Sequence, residues 1–212
     1  MGRKGTKNRV VGAAVRLFNE SGTAAASTNH IAGAAGISPG NLYYHFRNKE
    51  EIIREIWDRI DALWERSYAL PLDGPASMDD LRTMVEETFS GLWEYRFFYR
   101  ELGALTRRDP ELRRRYLIVR GRGLDGTEAL LRGFVEAGVL RGLEGPGEVA
   151  RLAKVLMLMA ECWLPYAETA GGELEPEQME EGVALMMQVL RPHLADDATV
   201  SLSGRARGDG GR

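Results

Sequence analysis

One cysteine, Cys162, in 212 residues leaves no internal disulfide to form, so packing must hold the fold. Its apolar neighbours predict an inert, buried thiol. Histidine is almost as scarce: His30, His45 and His193 are scattered, and none has a glutamate three residues before it. That excludes the paired Glu-x-x-His motifs of a di-iron helical bundle. No glycine-rich loop ending in Lys-Ser/Thr is present, which removes the usual phosphate cradle. A run of about 18 apolar residues is also missing. The opening MGRKGTKNR lacks the apolar centre of a signal peptide, and a soluble, cytoplasmic protein is expected. Catalytic residues, a metal and a cofactor are therefore not expected, and an enzyme built on a helical bundle is the weakest of the functional readings.

What the chain does hold is apolar residues and unevenly divided charge. With 44% hydrophobic residues it can bury a substantial core, as one large domain or a small one joined to a large one. Residues 1–54 carry eight Lys/Arg against three acidic residues, a net of +5, and residues 55–212 carry twenty against twenty-eight, a net of −8. A basic end on an acidic body points to one part of the chain meeting a polyanion.

Residues 6–21 have Val10, Val11, Ala14, Leu17 and Phe18 at helical spacing, with Gly22 as the stop. Lys4, Lys7 and Arg9 lie at or before the start of this helix. The stretch STNHIAGAAGISPGNLYYHFRNKEE, Ser27 to Glu51, then reads as two short helices joined by a tight turn. Ser27 or Thr28 caps the first, Gly36 suits the left-handed exit, and Ser38 with Pro39 caps and opens the second. At about 100° per residue, with Leu42 set to zero, Phe46 falls near 40° and shares its inward side. Gly40, Asn41 and Tyr44 fall near 160°, 260° and 200° and face outward, with Tyr43 and His45 on the flanks. Glycine permits close backbone approach, asparagine can donate and accept at a base edge, and tyrosine can reach a phosphate or a thymine methyl. Asn48 and Glu51 form a capping box for a fourth helix, whose first-turn Lys49 can share a phosphate with the exposed amides. Ile52, Ile53, Ile56, Trp57, Ile60, Leu63 and Trp64 make that helix long and apolar on one side.

Over residues 7–54, TKNRVVGAAVRLFNESG followed by STNHIAGAAGISPGNLYYHFRNKEEI resembles the DNA-binding domain of the TetR family of bacterial transcriptional regulators without a gap. The segment ISPGNLYYHFRNKEE is its most diagnostic part. The resemblance implies an all-α fold of about nine helices. A three-helix DNA-binding domain over residues 1–54 precedes a larger ligand-binding and dimerisation domain over 55–194, and few apolar residues with many Gly, Ser and charged ones make 195–212 a disordered tail. It also implies DNA contacts by Thr28, Pro39, Gly40, Asn41, Tyr43, Tyr44, His45 and Lys49.

The body continues in helices. ALPLDGPAS, residues 69–77, is a loop, and Ser77 with Asp80 caps a helix bearing Leu81, Val85, Phe89 and Leu92. A short helix follows through Trp93, Tyr95, Phe97, Phe98 and Tyr99 to Leu105. Asp109 and Pro110 open the next, expected to run to about Ala137 with Arg113, Arg114 and Arg115 on a solvated or ion-paired surface. After the loop GLEGPGE, residues 149–170 form the most apolar helix and residues 176–191 the last. By the resemblance, these two join those of a partner chain in a homodimer, which suits a helix-turn-helix reading two half-sites.

The same resemblance implies a ligand cavity in the body. Its candidate aromatic lining is Phe89, Trp93, Phe98, Tyr99, Tyr116, Trp163 and Tyr166. Met157 and Glu161 complete the set, and the composition favours an apolar or aromatic ligand. Glu161 among apolar neighbours needs a partner such as an arginine or a polar ligand group. Pro165 is expected to kink or end its helix. A repressor that a small ligand releases from a palindromic double-stranded operator is the expectation. A ligand-independent or architectural DNA-binding dimer shares every N-terminal feature.

Overall fold

Capping residues set most helix starts, and where a glycine takes positive φ it marks a departure from helical geometry. The computed structural model describes residues 3–68, 75–169 and 174–195. Among them are nine α-helices: α1 Arg3–Ala25, α2 Thr28–Ala34, α3 Pro39–His45, α4 Lys49–Tyr68, α5 Met78–Glu94, α6 Arg96–Arg108, α7 Pro110–Glu136, α8 Glu148–Thr169 and α9 Glu177–Leu190. A 3-10 turn, Arg191–His193, follows α9. The proposed tail lies outside the described residues, apart from Ala195, and so does most of the loop over 69–77.

The helices gather into two compact units. One holds the described residues up to Trp64 together with Glu94–Val119, and the other holds those of Glu65–Trp93 and from Arg120 onward. In the first unit Val10, Val11, Ala14 and Phe18 of α1, Ile31 and Ala32 of α2, Leu42 of α3 and Ile52, Ile56 and Ile60 of α4 are buried. Helical periodicity placed these positions on inward faces. Into this core α6 contributes Phe97 and Phe98, with Phe97 against Phe18 at 5.1 Å and Phe98 stacked on Trp57 at 4.9 Å between ring centroids. Asp109 caps α7, accepting from the amides of Glu111 at 3.0 Å and Leu112 at 3.1 Å, and it also takes a 2.6 Å hydrogen bond from Arg54 Nε of α4. The arginine run of α7 is ion-paired as expected: Arg114 and Arg115 both hold Glu111, and Arg115 also reaches Asp58 at 3.0 Å.

The second unit packs Leu81, Val85, Phe89 and Leu92 of α5, Leu131 and Phe134 of α7, and the inner faces of α8 and α9. Ser77 and Asp80 form the anticipated reciprocal cap at the start of α5, with bonds of 2.8 and 3.2 Å. Gly182 of α9 lies against the Phe89 ring, leaving no room for a side chain. An antiparallel bridge between Leu140 and Leu194 ties the residues after α9 to the α7–α8 connection.

Helix α8 continues through Pro165 to Thr169, in keeping with the helix expected over 149–170, with Leu164 and Ala167 buried near the proline. One expectation needs correction: Cys162 is exposed rather than buried. It lies on the same outward stripe of α8 as Val155, Leu158 and Tyr166, whereas Trp163 and Leu164 turn inward. An apolar segment predicts burial only for the face that meets a neighbour within the chain.

Candidate nucleic-acid interface

The N-terminal unit presents α3 as a short helix fixed from beneath. Ser38 caps it by accepting from the Asn41 amide at 3.2 Å, with Pro39 in the first turn, and Leu42 and Phe46 are buried under it. The opposite side is open: Pro39, Gly40 and Asn41 are exposed, as are Tyr43 at 50% and Tyr44 at 68%. His45 is half-buried, its ring edge-on to Tyr44 at 5.2 Å. Gly40 would meet nothing within 4 Å if it carried a Cβ, so the space in front of it is free for another molecule's backbone.

Helix α2 is set against α3 by its first residue. The Thr28 and Tyr43 hydroxyls lie 2.9 Å apart, joining two side chains expected at the DNA surface. Ser27 caps α2 by accepting from the His30 amide at 3.2 Å, and His30 Nδ1 accepts in return from the Ser27 amide at 3.5 Å. The α2–α3 turn passes through Gly36 at φ 64°, a left-handed conformation that suits glycine. Lys49 is half-buried at the start of α4, and its ammonium donates to the Thr23 carbonyl and, at 3.0 Å, to the Ala26 carbonyl. Two of its three N–H groups are thereby committed to the α1–α2 turn. Lys7 is also engaged within the unit, 2.6 Å from Glu55 and above the Phe46 ring. Asn48 caps α4 through the Glu51 amide at 2.9 Å, while Glu51 accepts from the Arg47 amide at 2.8 Å, one residue earlier than a capping box requires.

The structure divides the residues considered for a ligand. Phe98, Tyr99 and Tyr116 belong to the first unit: Phe98 is fully buried, Tyr99 accepts from the Trp64 indole at 2.8 Å, and Tyr116 packs on Trp57. Phe89, Trp93, Met157, Glu161, Trp163 and Tyr166 belong to the second. There Phe89 meets Trp163 edge-on at 6.3 Å, and the Trp163 indole donates to the Gln178 carbonyl at 3.0 Å. Glu161 has the arginine its setting called for, with Arg120 Nε at 3.1 and 3.2 Å from its two oxygens. Trp93 and Met157 are half-buried, and Tyr166 is 64% exposed.

A family model described as a bacterial transcriptional repressor, TetR, matches residues 61–201, and a second, described as bacterial regulatory proteins of the tetR family, matches residues 10–56. A solved TetR-family transcriptional regulator from Marinobacter aquaeolei VT8 is 30% identical, with a TM-score of 0.85 and 98% of both chains covered. The chain belongs to the TetR family. The family regulator PfmR of Thermus thermophilus is 27% identical with a TM-score of 0.61, covering 86% of this chain and 97% of that one. The transcriptional repressor KstR2 of Rhodococcus jostii (strain RHA1) is 36% identical over 90 residues, which is 41% of this chain and 44% of that protein. The chain therefore matches less than half the length of this curated relative.

Within this TetR-family head, sequence reasoning missed two contributors. His30 completes the α2 cap, although its spacing from Ser27 fits the three-residue interval of a capping box. Glu101 of α6 accepts from both the amide and the hydroxyl of Thr23. Nothing local in the sequence joins residues 78 positions apart, so no pattern around either one announces that contact.

Proposed function

We propose that this TetR-family chain is a repressor that grips a palindromic operator as a homodimer and leaves it when a small, largely apolar ligand binds. The carrying observation is the polarity of α3, with Leu42 and Phe46 buried and Asn41, Tyr43 and Tyr44 exposed on a capped helix. On this reading Gly40 allows the backbone into the major groove, Asn41 and Tyr44 read base edges, and Thr28, Pro39, Tyr43 and His45 seat the helices on the phosphates. Lys49 gives its third N–H to a phosphate while its other two hold the α1–α2 turn. The protein would work in the cytoplasm, where such DNA is found.

The homodimer is proposed to form through α8 and α9. Val155, Leu158 and Tyr166 of α8 and Leu185 of α9 are large apolar or aromatic side chains left exposed, which supports a partner chain as their cover. The aromatic and methionine side chains of the body support an apolar or aromatic effector.

Selection of bound duplexes from a random DNA pool, followed by release assays with small hydrophobic compounds, tests the whole reading. A palindromic product is expected, and a non-palindromic one would remove the dimeric readout. Asn41→Ala or Tyr44→Ala should weaken binding to that product by about 1 to 3 kcal/mol with the fold retained. Release by no compound would favour a ligand-independent, architectural dimer.

A further inference from the structure

We propose that Glu101 is a positioning residue for DNA reading: from α6 it clamps the α1–α2 turn and so fixes where α2 begins. The proposal rests on the DNA-binding reading above.

The clamp has its register set one turn earlier. Helix α6 has no side-chain cap of its own at its first residue. Asn19 of α1 supplies one, its Oδ1 accepting from the Phe97 amide at 3.1 Å while its Nδ2 donates to the Glu94 carbonyl at 2.9 Å. One turn further along α6, and just past the break in α1 at Gly22, Glu101 Oε1 accepts from the Thr23 amide at 2.8 Å and Oε2 accepts from the Thr23 hydroxyl. Helix α6 is thus tied to α1 at Asn19 and to the turn after it at Thr23, and a slide of α6 along its axis would separate Glu101 from Thr23.

Thr23 is 2% exposed, and every polar group it owns is held, the amide and hydroxyl by Glu101 and the carbonyl by Lys49. The residue before it, Gly22, leaves helical geometry at φ 76° and ψ 164°, and a Cβ there would lie 3.0 Å from Glu101 Oε1. Only glycine gives both the turn and the room for the carboxylate. Lys49 then holds Ala26, Ala26 precedes the Ser27 cap, and Thr28 meets Tyr43. A continuous series of bonds and adjacent residues therefore runs from α6 to the outward face of α3, so the position of α6 sets the placement of Thr28 and Tyr43.

Operator affinity of the full-length protein, measured on the duplex selected from the random pool, tests the clamp. Glu101→Ala should lower affinity for that duplex by about tenfold, the scale of losing hydrogen bonds to a charged group. Binding to an unrelated duplex and the salt slope should stay near wild type, because no phosphate contact is removed. Glu101→Gln should restore affinity to within about twofold, since the amide oxygen accepts from the Thr23 N–H and the NH2 group can donate to its hydroxyl. Thr23→Val, which removes only the hydroxyl, should cost about threefold, and this pair of variants decides the matter if Glu101→Ala does not fold. Wild-type affinity in Thr23→Val, or in a folded Glu101→Ala, would overturn the clamp while leaving DNA binding intact. Equal losses in the Ala and Gln variants would also overturn it. Failure of the wild-type protein to select any duplex would overturn the DNA reading, and the clamp with it.

Discussion

The Thr28 hydroxyl of α2 stands 2.9 Å from the Tyr43 hydroxyl of α3, across the mouth of the helix-turn-helix. The pair joins the two helices on the side that faces outward, away from the buried apolar contacts beneath them. Tyr43→Phe keeps the ring and removes the bond. A neutral hydrogen bond contributes about 1 kcal/mol, so operator affinity should fall by about fivefold with an unchanged circular dichroism spectrum. Anisotropy titration of labelled operator measures it, and equal affinity would reduce the pair to a surface contact.

Lys49 is asked to do two things, and salt separates them. Removing a phosphate contact lowers the slope of log affinity against log salt by about 0.9, whereas loosening a turn leaves the slope alone. Lys49→Ala should weaken binding to operator and unrelated DNA alike and reduce that slope. An unchanged slope, with operator affinity lost, would confine Lys49 to the Thr23 and Ala26 carbonyls.

Asp109 predicts an acid limit for the N-terminal unit. Burial acts to raise its pKa, but the Arg54 hydrogen bond, the amides of Leu112 and Glu111 and the Arg54 charge together hold it below the ordinary carboxylate value. A depressed carboxylate contributes stability that is present above the unfolded pKa and is lost as pH falls through the folded one, so the loss begins below about pH 4. Glu111, pulled down to about 2 by Arg114 and Arg115, keeps its charge further into acid. Asp109→Asn preserves the α7 cap and removes the charge. It should cost about 1.5 to 3 kcal/mol at pH 7 in urea unfolding, with the difference from wild type shrinking at pH 3 and below. A difference independent of pH would mean that the cap alone matters.

Gly182→Ala should destabilise the second unit. The added methyl would lie 2.2 Å from Phe89 Cε1, closer than any relaxed contact. Overpacking of this kind costs about 1 to 3 kcal/mol. Phe89→Leu, itself destabilising, should recover part of the cost of Gly182→Ala when the two are combined. Thermal unfolding of the four proteins reads the coupling, and additive losses would show that the helices move apart instead.

Local chemistry carried the helices in the sequence. The Ser27, Ser38 and Asp109 caps, the inward stripes of α1 and α4, and the outward Gly40, Asn41 and Tyr44 all follow from spacing and residue type, and the structure places them so. The diagnostic run through α3 made the family legible as well. Contacts between distant segments were not legible. Periodicity says that α6 has a buried face but not that the face lies on α1, and it could not separate the inward stripe of α8 from the outward one carrying Cys162. The ligand candidates suffered in the same way, because aromatic content alone does not say that Phe98 and Tyr99 pack with α1–α4 while Phe89 and Trp163 pack with α9.

The discontinuous first unit has a practical side for anyone building hybrid regulators. A chimera cut at the end of α4 would carry the reading helices but leave behind Glu94–Val119, and with them the partners of Asn19, Thr23 and Arg54. Such a graft would inherit whatever side chains the host body offers at those places, and a methyl or a lysine opposite Thr23 would strand a buried amide. Transplanting specificity therefore calls for two segments rather than one, or for a host whose sixth helix already bears a carboxylate at the matching turn.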